Sequence, residues 1–184
     1  MDLEQKLKEV EIKKILIVDD TAANIEAAKE YFKQVEKLGV KVEYASSAKE
    51  AKERIQAAYW AKDKYSIVIS DLSMEEPKSG LEVAREAFKH LGFGFIATGL
   101  NYDRSEHDHH GPSTRLMPME SQYIAGKKDK PEVWQQAFEK AIDYLTEGSG
   151  RATFAAMRRY DKYIGAPSDE VARMTMMVFM GRNV

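Results

Sequence analysis

Short apolar runs alternate with longer amphipathic stretches through most of this chain. Lys14–Val18 is a short strand-like run built on Ile15-Leu16-Ile17-Val18. From Thr21 to Leu38 the apolar positions Ile25, Ala28, Phe32 and Val35 recur at helical spacing. Asp20 or Thr21 is placed to cap that helix, and Gly39 to stop it. Val40–Tyr44 alternates as a half-buried strand does, and Ser46 or Ser47 then opens a helix with Ala48, Ala51, Ile55 and Ala58 on one face. Tyr65–Ser70 is a third strand, ended by Asp71. A turn from Ser73 to Ser79, containing Pro77, leads through Gly80 into a helix carrying Leu81, Ala84, Ala87, Phe88 and Leu91. Phe93–Ala97 is a fourth strand, followed by Thr98-Gly99. Leu100 to Ser121 is polar, contains Pro112 and Pro118, and has no clear period. Gln122–Ala125 is a candidate fifth strand. Pro131 then starts a helix with Trp134, Phe138, Ala141 and Leu145 inward, at a position that tolerates a missing N–H. The opening dozen residues read as a solvated lead-in with at most a helical turn.

This alternation predicts an α/β fold, an open five-stranded parallel sheet with helices on both faces and right-handed crossovers. Gly148-Ser149-Gly150 is a candidate hinge, dividing a domain over 1–147 from a helical C-terminal extension over 148–184. Within the extension, Arg151–Tyr163 and Ser168–Met180 are helical candidates, and Met174 to Met180 places apolar residues on more than one face. Such a methionine-rich stretch either packs on the body or serves as an adaptable contact, which makes a homodimer through the extension one expectation.

Length and charge narrow the classes. At 184 residues the chain is one domain, or one domain with an appendage. With 28 basic and 30 acidic side chains it has no basic bias of the kind bulk nucleic-acid binding requires. Residues 148–184 carry six basic and three acidic side chains, a net of +3, which leaves −5 for the rest of a chain whose total is −2. The absence of cysteine excludes disulfides, thiolate catalysis and cysteine-ligated zinc, and fits a reducing compartment. The N-terminus has no apolar signal region and no run reaches membrane-spanning length, so a cytoplasmic protein is the expectation.

The candidate chemistry lies at the strand ends. In a parallel α/β sheet, ligands bind outside the carboxyl ends of the strands. The first strand ends in Asp19-Asp20 and the third in Asp71, which predicts three neighbouring carboxylates and a divalent cation among them. An acid at a strand end also serves simply to cap the next helix, but three in this order exceed that ordinary use. Glu106-His107-Asp108-His109-His110 offers metal-ligand types. Five such residues in five consecutive positions do not easily converge on one ion, and Gly111-Pro112 beside them points to an exposed loop.

An acidic pair after strand one, an acid after strand three, a Thr after strand four and a Lys after strand five together resemble the receiver domain of two-component response regulators. Residues 14–147 carry the resemblance, chiefly Ile15-Leu16-Ile17-Val18-Asp19-Asp20 and Ile69-Ser70-Asp71-Leu72-Ser73-Met74. It implies a flavodoxin-like strand order 2-1-3-4-5. It also implies Asp71 as phosphoacceptor, with Mg²⁺ held by Asp19, Asp20, Asp71 and the backbone carbonyl of Ser73. Thr98 would be the switch hydroxyl, and Lys127, or its neighbour Lys128, the cation that bonds the phosphoryl group. A histidine kinase, a phosphotransfer protein or a small donor would supply the phosphate, and output would run through a downstream protein. The chain departs from the family's pattern at several positions. Glu75 follows Met74 where receivers usually have Pro, Gly80 comes about one residue late, and the lysine run reads Lys127-Lys128-Asp129-Lys130-Pro131. The stretch 100–121 stands where receivers have a fourth helix.

Two other functions compete. A pseudo-receiver would keep the fold as an interaction module and never carry phosphate. A phosphatase of the haloacid dehalogenase type is similar in Val18-Asp19-Asp20-Thr21 followed by Asn24, although that motif belongs late in such domains and no Asp-x-Asp nucleophile motif precedes it.

Overall fold

The computed structural model describes residues 2–98 and 127–147. In chain order these form helix α1 (Leu3–Glu9), strand β1 (Lys14–Val18), α2 (Ala22–Glu36), β2 (Lys41–Ala45), α3 (Ala48–Trp60), β3 (Ile67–Ser70), α4 (Ser79–Lys89), β4 (Phe93–Ile96) and α5 (Pro131–Thr146). The expected fifth strand Gln122–Ala125 lies outside the described residues. So do 99–121, with His107, His109 and His110, and the extension 148–184 with its proposed dimer contact.

The fold is α/β. The described strands pair in parallel in the order β2-β1-β3-β4. All five residues of β1 are buried, as a central strand covered on both faces requires. Successive side chains point to opposite faces of the sheet. Ile15, Ile17, Ile67, Ile69, Phe93 and Phe95 therefore share one core with α2 and α5, while Leu16, Val18 and Val68 share a second with α3 and α4. The first core is the aromatic one: Phe32 and Phe138 meet edge to face with centroids 5.2 Å apart, a favoured aromatic geometry.

Local chemistry sets the element ends. Gly39 takes φ +86 after α2, a conformation that costs a side chain strain. Ser47 caps α3 by accepting the Glu50 N–H at 3.1 Å. Pro131 begins α5 in the first turn. Strands β2 and β3 begin one and two residues later than the apolar pattern indicates, because pairing to β1 and not hydropathy fixes their start.

The N-terminus corrects the sequence reading. It is a helix with a capping box, Asp2 taking the Gln5 N–H at 2.8 Å and Gln5 reaching back to the Asp2 N–H. Leu7, Val10 and Ile12 are buried, and α1 packs on α5 with Lys6 paired to Asp143. The dense charge of this segment masked a sparse apolar stripe, Leu3, Leu7 and Val10, at helical spacing. Among the described residues no helix is long and apolar enough to cross a membrane.

If α1 is an integral layer, Leu7→Ala should lower stability by about 2–5 kcal/mol. Urea denaturation of the full chain measures this, and a change near zero would return α1 to the status of a solvated lead.

Candidate functional site

Asp19 leaves β1 with its N–H still bonded to the Ala45 carbonyl at 3.2 Å, and its side chain is fully buried. A buried carboxylate is tolerated only when its oxygens find donors. Oδ1 accepts the Thr21 N–H and the Asn24 amide, both at 3.0 Å. Oδ2 accepts Asn24 again at 3.2 Å and the Lys128 ammonium at 2.5 Å. Thr21 stands at the N-cap position of α2 without a side-chain cap bond. Asp19, one of the nominated metal ligands, thus serves the start of the helix as well. Asp20 is exposed, with the Thr21 hydroxyl donating to it at 3.4 Å.

Asp71 leaves β3 beside the end of β1, its N–H donating to the Val18 carbonyl at 2.8 Å. Its side chain is 14% exposed, and its Oδ1 lies 2.6 Å from the Lys128 ammonium. One cation therefore bridges the acids that end β1 and β3. Burial pushes the Asp71 carboxyl above the usual aspartate range, and the charge of Asp19 adds to the shift. The Lys128 charge and hydrogen bond, with the Leu72 N–H, offset part of it.

The bridging lysine is Lys128 and not Lys127. Lys127 is exposed, whereas the Lys128 side chain is 7% exposed. Trp134, the first large inward residue of α5, is fully buried, and its indole N–H donates to the Lys128 carbonyl at 2.9 Å. That bond fixes the backbone ahead of α5, and the ammonium at the acids fixes the side chain inward.

Thr98 is buried just past β4. The pairing of Ser70 with Ile96, and the Ala97 N–H on the Ser70 carbonyl at 2.8 Å, bring it to the same sheet edge as Asp71. Ser73 is exposed, its hydroxyl accepting the Lys78 N–H at 3.2 Å. Gly80 explains itself sterically. A Cβ there would stand 1.8 Å from the Asp71 carbonyl oxygen, so α4 approaches the acid's backbone as only glycine permits.

The expected carboxylate triad is thus only partly assembled. Asp19 and Asp71 meet through Lys128, and Asp20 remains at the surface. Among the described residues no three carboxylate or imidazole side chains gather into a group that could hold a metal ion. The roles of Asn24 and Trp134 in holding Asp19 and Lys128 escaped the sequence reading, which met Asn24 only in the dehalogenase-like motif and Trp134 only on the inward face of its helix. Asn24 carried a faint signal, a carboxamide in the first turn of the helix after the acidic pair. Trp134 was legible only as a core residue.

Replacing Lys128 by Met should raise the Asp71 pKa further above the ordinary aspartate value of about 3.9, because both Lys128 contributions lower it. Side-chain carboxyl shifts in NMR titrations measure this, and a fall would rule out the ammonium as the counter-charge. The same variant leaves buried Asp19 without its cation and should cost about 3–5 kcal/mol in denaturant unfolding.

No protein-family model matches this chain, and no curated protein matches it. Among solved structures, the bacteriophytochrome response regulator AtBRR is similar at 16% identity, with a TM-score of 0.49, over 74% of this chain and 95% of that one. A yeast Spc42 trimeric coiled-coil segment fused to another protein is similar at 18% identity, with a TM-score of 0.45, over 83% of this chain and 93% of that one. Both scores lie below one half.

Proposed function

We propose that this chain is a receiver-like signalling protein that accepts a phosphoryl group on Asp71. The observation that carries the reading is the Lys128 ammonium, held 2.5 Å from Asp19 and 2.6 Å from Asp71 where β1 and β3 end. In the proposed step an Asp71 oxygen attacks the phosphorus of an acyl phosphate or a phosphohistidine. The P–O or P–N bond of the donor breaks, the electron pair leaves with the donor, and an aspartyl phosphate remains. Lys128 has the charge to hold a phosphoryl oxygen, and buried Thr98 at the same edge is the hydroxyl proposed to follow it. Asn24 keeps Asp19 oriented while the lysine shifts between partners.

Mg²⁺ belongs to this reading as a proposed cofactor. Asp19, Asp20, Asp71 and the Ser73 carbonyl would supply only oxygen ligands, the kind a hard cation takes, and holding the ion would require Asp20 to turn in from the surface. When bound, the ion would neutralise charge on the incoming phosphoryl oxygens. A histidine kinase or phosphotransfer protein is the proposed donor and a second protein the proposed receiver of the signal, with phosphate biasing a two-state equilibrium.

A pseudo-receiver is the second reading, favoured because Lys128 already answers both acids and, among the described residues, no three carboxylate or imidazole side chains gather for a metal. Intact-protein mass after incubation with acetyl phosphate separates the readings. With Mg²⁺ the wild type should gain one phosphate, Asp71→Asn none, and a chelator should abolish the gain. No adduct, with no Mg²⁺ binding, would leave the pseudo-receiver. Turnover of a generic phosphate ester would favour the phosphatase instead.

A further inference from the structure

The loop between β3 and α4 carries the residues nearest Asp71, and much of it faces solvent: Ser73, Glu75, Glu76, Pro77 and Lys78 are exposed. Its backbone is tied to itself and to the start of α4. The Gly80 N–H reaches the Leu72 carbonyl at 2.9 Å, the Met74 N–H the Ser79 hydroxyl at 3.3 Å, and the Lys78 N–H the Ser73 hydroxyl at 3.2 Å. These bonds shape the loop without tying it to the start of α3.

Glu75 supplies that anchor. Its two carboxylate oxygens accept the backbone N–H groups of Ala48 and Lys49, each at 3.1 Å. These are the first two residues of α3, whose early N–H groups have no partner within the helix. Ser47 takes the next donor, that of Glu50, so the Glu75 carboxylate completes the cap from another part of the chain. The site favours the charge twice over, through the positive end of the helix and through Lys52. Although burial opposes the charge, the N–H bonds from Ala48, Glu75 itself and Lys49, together with Lys52, hold the Glu75 carboxyl below its ordinary range.

We propose that Glu75 is a positioning residue for Asp71, a latch that clamps the loop following the acid to the N-terminus of α3 and couples that helix to the site. The inference deepens the phosphoacceptor reading and rests on it for its chemical readout. On the far side, Gly80 pins the Asp71 carbonyl against α4. The chain that follows Asp71 is therefore tied to two helices, to α4 by the close approach at Gly80 and to α3 by the Glu75 carboxylate, next to Met74, which packs on the core beneath α3.

The test uses the full chain with Glu75→Ala and Glu75→Gln. Without any phosphodonor, Ala should speed amide exchange at residues 72–78 and at Ala48 and Lys49 by about tenfold, as expected for losing charged bonds from a local structure. Gln keeps one acceptor oxygen and should fall between Ala and wild type. The Asp71 side-chain carboxyl signal should move in Ala, and the initial rate of acetyl phosphate labelling should change at least severalfold. Unchanged exchange at 72–78 would overturn the latch. Faster exchange with an unmoved Asp71 signal would reduce Glu75 to a cap of α3 and overturn its positioning role. If wild type takes no phosphate, the phosphoacceptor reading fails by itself, and exchange with the carboxyl signal still decides the latch. Should Ala fail to fold, the same measurements on Gln decide it.

Discussion

The rest of the site depends on burying one carboxylate. Asp19 sits at the end of a strand buried along its whole length, where water cannot solvate it. Its charge must be answered from within. Thr21 and Asn24 supply neutral donors from the next helix, and Lys128 supplies the cation. At an effective dielectric of about 20, each of the two short lysine–carboxylate contacts is worth on the order of 5 kcal/mol before desolvation is subtracted. To deliver that ammonium, the chain must dock α5 on α2, tie Trp134 to the Lys128 carbonyl, and brace α5 with α1. One ionic requirement at the strand ends thereby organises an entire face of the sheet.

The opposite side of Asp71 is governed by space and not charge. The Asp71 backbone oxygen faces a position where even one methyl group would collide. This makes the acid's main chain the least adjustable part of the site, while its side chain is held by the ion pair to Lys128. A fixed backbone behind the carboxylate suits the proposed phosphoryl chemistry, in which the attacking oxygen must be placed accurately.

Much of this was legible in the sequence where a single local rule applied. Strand β1, the caps and stops at Ser47, Gly39 and Pro131, and the inward faces of α3, α4 and α5 each follow from periodicity and end chemistry. The paired acids at the ends of β1 and β3 were legible for the same reason, since topology alone brings them to one edge. What was not legible depends on partners far apart in the chain. Neighbouring lysines at 127 and 128 are chemically identical, and only the docking of Trp134 selects between them. Glu75 looked like a missing proline until its oxygens met the start of α3. Charge hid the buried stripe of α1, because its apolar residues matter only once α5 lies beside them.

The wide separation of the site's parts also orders its assembly during synthesis. Lys128 follows Asp19 by 109 residues. A growing chain therefore presents both acids, with β1 to β4 already made, before their counter-charge emerges from the ribosome. The segment that brings the lysine also brings α5, whose Trp134, Phe138 and Ile142 fill the aromatic core. Neutralising the acids and sealing that face of the sheet are consequently a single late event, and a chain arrested before it would expose an apolar surface and an uncompensated acidic pair together.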